Sequence, residues 1–154
     1  MRKSTEYIVV HCSATVADCD IGVATIRDWH LQRGFRDIGY HFVIRRNGKI
    51  EIGRQQNEVG AHVEGYNSKS VGVCMVGGIA KGVKAENNFT PAQFKTLETL
   101  LRKLLIDYPG AKIVGHRDLS PDLNHDGKIT PNEWFKMCPS FDIATWLKDI
   151  NFNQ

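Results

Sequence analysis

Tyr7-Ile-Val-Val-His11 and Lys112-Ile-Val-Gly-His116 share one pattern: a short run rich in β-branched residues that stops on a histidine. Such runs form buried strands, because branched side chains pack well on a pleated surface and the run is too short for a helix. Two strands that end alike place two imidazoles at strand ends, where ligands collect in folds of interleaved strands and helices. Cys138 follows in a later loop. Either histidine alone reads as a hydrogen-bonded structural residue. The recurrence, with a cysteine behind it, favours a metal. Two neutral imidazoles and a thiolate suit a catalytic zinc with a fourth position open for water. Lys136, two residues before Cys138, would favour the thiolate form.

The elements between these strands alternate. The spacing predicts a helix over Val23–Gln32, with Ile26, Trp29 and His30 on one stripe and Gly34 as its stop. A hairpin follows, residues 40–45 and 49–52 around Asn47-Gly48, since both turn residues tolerate positive φ. Residues 71–76 read as another apolar strand closed by Gly77-Gly78. A long helix is predicted over residues 91–108. Thr90 caps it, Pro91 fits the first position, and Gln93 completes a capping box. Phe94, Leu97, Leu100, Leu101, Leu104 and Leu105 give it one apolar face. Ser140 is expected to cap a final short helix through Trp146 and Leu147. Strands interleaved with helices, plus one hairpin, predict an α/β fold: a single domain over residues 1–154, with a mixed central β-sheet and helices packed on it.

Composition agrees. A chain of 154 residues, 42% hydrophobic and 24% charged, is long enough for one core. The net charge of +3 favours anionic polymers without selecting one, and no basic–aromatic stripe points to specific nucleic acid. Four cysteines do not make a disulfide scaffold here. Cys12 and Cys74 read as buried thiols, a bridge between them being the alternative, and Cys19 as an incidental loop residue. The apolar run after the basic N-terminus is too short for a secretion signal, and no run reaches membrane-spanning length, so synthesis in the cytoplasm without membrane insertion is expected.

Several segments recur in a familiar order: His11-Cys-Ser-Ala-Thr15, Gly39-Tyr-His-Phe42, Asn67-Ser-Lys-Ser-Val-Gly-Val73, Phe89-Thr-Pro-Ala-Gln93, Gly115-His-Arg117 and Lys136-Met-Cys-Pro-Ser-Phe-Asp142. Together, over residues 7–146, they resemble the zinc-dependent N-acetylmuramoyl-L-alanine amidases of the peptidoglycan-recognition-protein type. The resemblance implies that fold, with zinc on His11, His116 and Cys138 and catalytic roles for Tyr40 and Lys136. It implies cleavage of the amide between N-acetylmuramic acid and L-alanine, in peptidoglycan or muropeptides, by a monomer that acts on the cell wall after release. These roles are chemically sound: zinc-bound water ionises near neutral pH, an ammonium stabilises an oxyanion, and a phenol orients water or passes a proton. The alternatives are a non-catalytic peptidoglycan-binding module and a cytosolic amidase that recycles muropeptides. His41 is read as structural, and His62 either as lining a groove or as a surface residue. Trp29 and Phe94 fall on apolar stripes and are read as core.

One segment departs from the family pattern. Between His116 and Cys138 the chain is longer than in phage members of the family it resembles and carries Asp122, Asn124, Asp126, Gly127, Lys128, Ile129 and Glu133. The spacing fits a twelve-residue calcium loop: acidic or amide ligands at the first, third and fifth positions, glycine sixth, a backbone carbonyl seventh and glutamate twelfth. Ser120-Pro121 argues against an entering helix. The alternative is an acidic surface loop with a glycine turn.

Overall fold

The computed structural model describes residues 1–153. Its strands are β1 (Tyr7–Cys12), β2 (Phe42–Ile44), β3 (Ile50–Ile52), β4 (Ser70–Met75) and β5 (Lys112–Gly115). Its α-helices are α1 (Val23–Gln32), α2 (Pro91–Asp107) and α3 (Ile143–Asp149). The strands form one mixed sheet in the order β3-β2-β4-β1-β5. β1 is parallel to both of its neighbours, β4 and β5, while β2 runs parallel to β4 and antiparallel to β3. No helix among the described residues is long and apolar enough to cross a membrane.

Strand alternation divides the interior in two. Ile8 and Val10 of β1, Phe42 and Ile44 of β2, and Val71, Val73 and Met75 of β4 pack with Leu97, Leu100, Leu101 and Leu104 of α2 and Ile143 and Leu147 of α3. Each fully buried leucine contributes about 1.5–3 kcal/mol. The intervening residues point to the opposite face. There Val43 and Cys74 meet Val23 and Ile26 of α1 and Ile38, in a much smaller cluster. His11 is the register partner of Cys74, which is in turn the partner of Val43. The first histidine therefore lies on the thinly covered face, beside the small cluster.

α2 begins as expected, with the reciprocal Thr90–Gln93 capping box and Pro91 in its first turn. Gln93 goes further. It is fully buried, and its Nε2 donates to the carbonyls of Ile44 and Val76, which staples the helix start to the ends of β2 and β4. α1 has no side-chain cap of its own at Gly22. Glu51, from β3, accepts the Val23 N–H at 2.8 Å instead.

Two expectations are corrected. Trp29 is not core but 40% exposed, because α1 turns Val23, Ile26 and His30 inward and leaves Trp29 at the border of that stripe. Ser140 does not cap α3. It sits in the left-handed region at φ 72°, and Asp142, in extended backbone, accepts the Thr145 N–H at 2.7 Å. Phe94 does pack on the main core, within a cluster of Phe89, Phe141 and Trp146.

Candidate metal centre

β1 delivers His11 with its side chain 1% exposed. β5 stops at Gly115, whose N–H is held by Asp118 at 2.7 Å, and His116 opens a short 3-10 turn, His116–Leu119. The Arg117 N–H then donates to the Cys138 carbonyl at 2.9 Å, which draws the distant cysteine back to the sheet. The Cys12 N–H donates to Cys138 Sγ at 3.1 Å. One ligand atom from each of His11, His116 and Cys138 falls within 4.8 Å of the others. Among the described residues this is the one such group of histidine, cysteine and acidic side chains. Cys138 Sγ lies 3.8 Å from His11 Nδ1. Tetrahedral zinc with ordinary bond lengths would put nitrogen and sulfur about 3.6 Å apart.

A chain of hydrogen bonds decides which nitrogen of His11 is free. The Ser70 hydroxyl donates to the Tyr66 carbonyl at 2.8 Å, so its oxygen accepts from His62 Nε2 at 3.2 Å. His62 is thereby protonated on Nε2, and its Nδ1 accepts from His11 Nε2 at 2.9 Å. That leaves the Nδ1 lone pair of His11 turned toward Cys138. His62 is thus no plain surface histidine, since its ring is hydrogen-bonded on both nitrogens. It fits against the strand because β4 has glycine beneath it: a Cβ on Gly72 would meet the His62 ring at 2.7 Å.

Burial holds the His11 and His62 imidazoles well below their ordinary range, and neighbouring histidines add to the effect. Burial and the Lys136 charge bring His116 down to about 4. At neutral pH all three are uncharged, the form that ligates metal. Lys136 is exposed, and its charge bears on both His11 and His116. It does not lower the cysteine as the sequence suggested. Burial, then the Cys12 thiol, pushes Cys138 well up, opposed by the Cys12 N–H. A thiol so placed ionises when a cation is bound beside it.

Tyr40 completes the cluster, its ring 5.0 Å from that of His11 and 5.4 Å from that of His30. His30 Nδ1 accepts the Gly39 N–H at 2.8 Å, which fixes the backbone next to the tyrosine. Burial first, then the nearby cysteines, raises the phenol well above its usual range, so it keeps its proton. His41 is structural as read: its Nδ1 accepts from Gly72 N–H and its Nε2 donates to the Glu58 carbonyl.

The sequence profile of N-acetylmuramoyl-L-alanine amidase matches residues 1–133. The chain belongs to this amidase family. The match stops at Glu133, short of Cys138. The endolysin of Klebsiella phage KP32 is 50% identical over 145 residues, which are 94% of this chain and 87% of that protein. The endolysin of Escherichia phage T7 is 46% identical over the same shares of each chain. Among solved structures, the N-acetylmuramoyl-L-alanine amidase LysC from Clostridium intestinale superposes with a TM-score of 0.73 at 28% identity, covering 97% of this chain and 87% of its own. This amidase is therefore an enzyme that cleaves peptidoglycan.

Cys12, Cys19 and Cys74 are free thiols, and no bridge joins Cys12 to Cys74. Asp122, Asn124, Asp126, Lys128 and Glu133 stand apart from the metal centre, in the loop leading to it. His62 and Ser70 are the supporting residues that spacing and periodicity missed.

Proposed function

We propose that His11, His116 and Cys138 hold a zinc ion, and that with it the amidase hydrolyses the bond between the lactyl group of N-acetylmuramic acid and L-alanine. The observation that carries this reading is the convergence of the three ligand atoms within 4.8 Å on the thinly covered face, next to Tyr40. Zinc in such a site supplies a hydroxide near neutral pH and polarises the substrate carbonyl. The protein's own groups do the rest. His62 keeps the Nδ1 lone pair of His11 available. Tyr40 holds its proton at the hydroxyl and gives a hydrogen bond or a proton to the reacting amide. Lys136 sets its ammonium against the developing oxyanion. The endolysin relatives support a lytic role, in which a monomer made in the cytoplasm reaches the wall after release.

Mass spectrometry of purified cell wall digested with the protein tests the bond specificity. New free L-alanine amino termini without new reducing sugar ends are expected. New reducing ends in their place would mean a glycosidase. The supporting histidine has its own expected effect. His62→Ala removes the acceptor that orients His11, and loss of such an outer partner lowers metal affinity about 10–100-fold. Competition with a chromophoric zinc chelator measures this directly, and Ser70→Ala should shift affinity in the same direction by less.

A further inference from the structure

We propose that residues 122–133 form a calcium site that fastens the loop carrying Lys136 and Cys138. The ligands would be the side chains of Asp122, Asn124, Asp126 and Glu133 and the carbonyl of Lys128. The proposal concerns a second cation, and it stands independently of the zinc reading.

The observation beyond the acidic spacing is at Asp122. One of its carboxylate oxygens, Oδ2, accepts the Gly127 N–H from across the loop at 2.8 Å. The other, Oδ1, is sealed from solvent and has no hydrogen-bond partner. An anionic oxygen buried without a donor is rare, because neither water nor protein then compensates its charge. Among the described residues it is the one carboxylate oxygen in that condition. No ion pair among those residues includes Asp122, Asp126 or Glu133. A cation is the partner that this oxygen lacks.

The rest of the loop suits that cation. Glu133 is 7% exposed, and its Oε1 accepts from the N–H groups of Leu123 and Asn124, which brings the twelfth-position carboxylate against the backbone of the second and third positions. Gly127 holds φ at 80° at the tight turn, where other residues are strained. A set made wholly of oxygen, on a loop and not on rigid helices, fits calcium with its six to eight flexible ligands better than octahedral magnesium. The flanking segments are 3-10 turns, His116–Leu119 and Pro131–Glu133, so the loop is not part of a helix–loop–helix pair.

The neck of this loop is joined to the amidase site. Next to Glu133, the Trp134 ring lies 3.8 Å from the guanidinium carbon of Arg117. Arg117 is 6% exposed, donates its N–H to the Cys138 carbonyl, and pairs with Asp142 at 3.6 Å. The Phe135 N–H is taken by Ser120 on the opposite side of the neck. Closing the loop on a cation therefore restrains the stretch that presents Lys136 and Cys138.

The test is calorimetric titration of the full-length, chelator-stripped protein with calcium chloride, and separately with magnesium chloride, followed by thermal melts. One calcium per chain is expected, bound more tightly than magnesium, with a higher melting temperature when loaded. Glu133→Gln and, separately, the exposed Asp126→Asn should each weaken calcium binding at least about tenfold. Asp126→Asn serves as the second variant because Glu133 also holds backbone N–H groups. Absence of saturable calcium binding up to about 10 mM, roughly tenfold beyond the weak limit of extracellular calcium modules, overturns the site, as does affinity unchanged in both variants. Magnesium binding as tight as calcium overturns the assignment to calcium. Because the readout is calcium binding and not wall cleavage, its failure leaves the zinc reading untouched.

Discussion

Cys138→Ser protein should release almost no new L-alanine amino termini from purified cell wall, with activity down at least about 10³-fold, because unassisted water is too weak an acid to supply a nucleophile at neutral pH without the proposed metal. The sulfur is the one soft, anionic donor of the three, and its ionisation depends on a bound cation. Serine in its place neither ionises at neutral pH nor binds zinc well. Elemental analysis should therefore show zinc falling from one per chain in the wild type toward zero in the variant. The fold should survive: Cys138 contacts the main core only at its border, while α2, α3 and the buried strands are untouched. A folded variant that kept both zinc and turnover would end the case for this ligand set.

Tyr40→Phe should separate chemistry from metal binding. The ring remains to pack against His11 and His30, so zinc content stays at one per chain. Only the hydroxyl is lost. A general acid or water-orienting group contributes typically about 10²–10⁴-fold, and kcat should fall by that amount with little change in KM. Because burial holds the phenol proton well above the ordinary tyrosine range, wild-type activity should not decline through tyrosine ionisation anywhere below pH 10. Loss of zinc together with activity in the phenylalanine variant would instead make Tyr40 a structural support of the metal.

Much of this was readable before any coordinates, for identifiable reasons. The strands that carry His11 and His116 are short and β-branched, and α2 displays its cap, its first-turn proline and its apolar face in consecutive residues. Each of these signals is local. The candidate positions His11 and His116 were legible because two β-branched runs each lead into a histidine, and Cys138 because it follows them in a loop beside Lys136. What escaped was set by tertiary contact. Glu51 caps a helix that begins 28 residues earlier in the chain. Ser140 looks like a cap, but a left-handed backbone turns the task over to Asp142. Trp29 lies on an apolar stripe that α1 buries only in part. The route from Ser70 through His62 to His11 crosses 8 and then 51 positions of sequence and leaves no period in it.

Gly72 carries a practical consequence for anyone wishing to make this enzyme more robust. Glycine inside a strand is a usual target for stabilisation, since a methyl group there ordinarily restricts the unfolded chain and adds packing. At position 72 the same methyl would evict an imidazole, and the gain in rigidity would come at the expense of the contact that orients His11. The two positions, 62 and 72, should be treated as one unit in any mutant library: whatever replaces the histidine decides what the strand below it is allowed to grow.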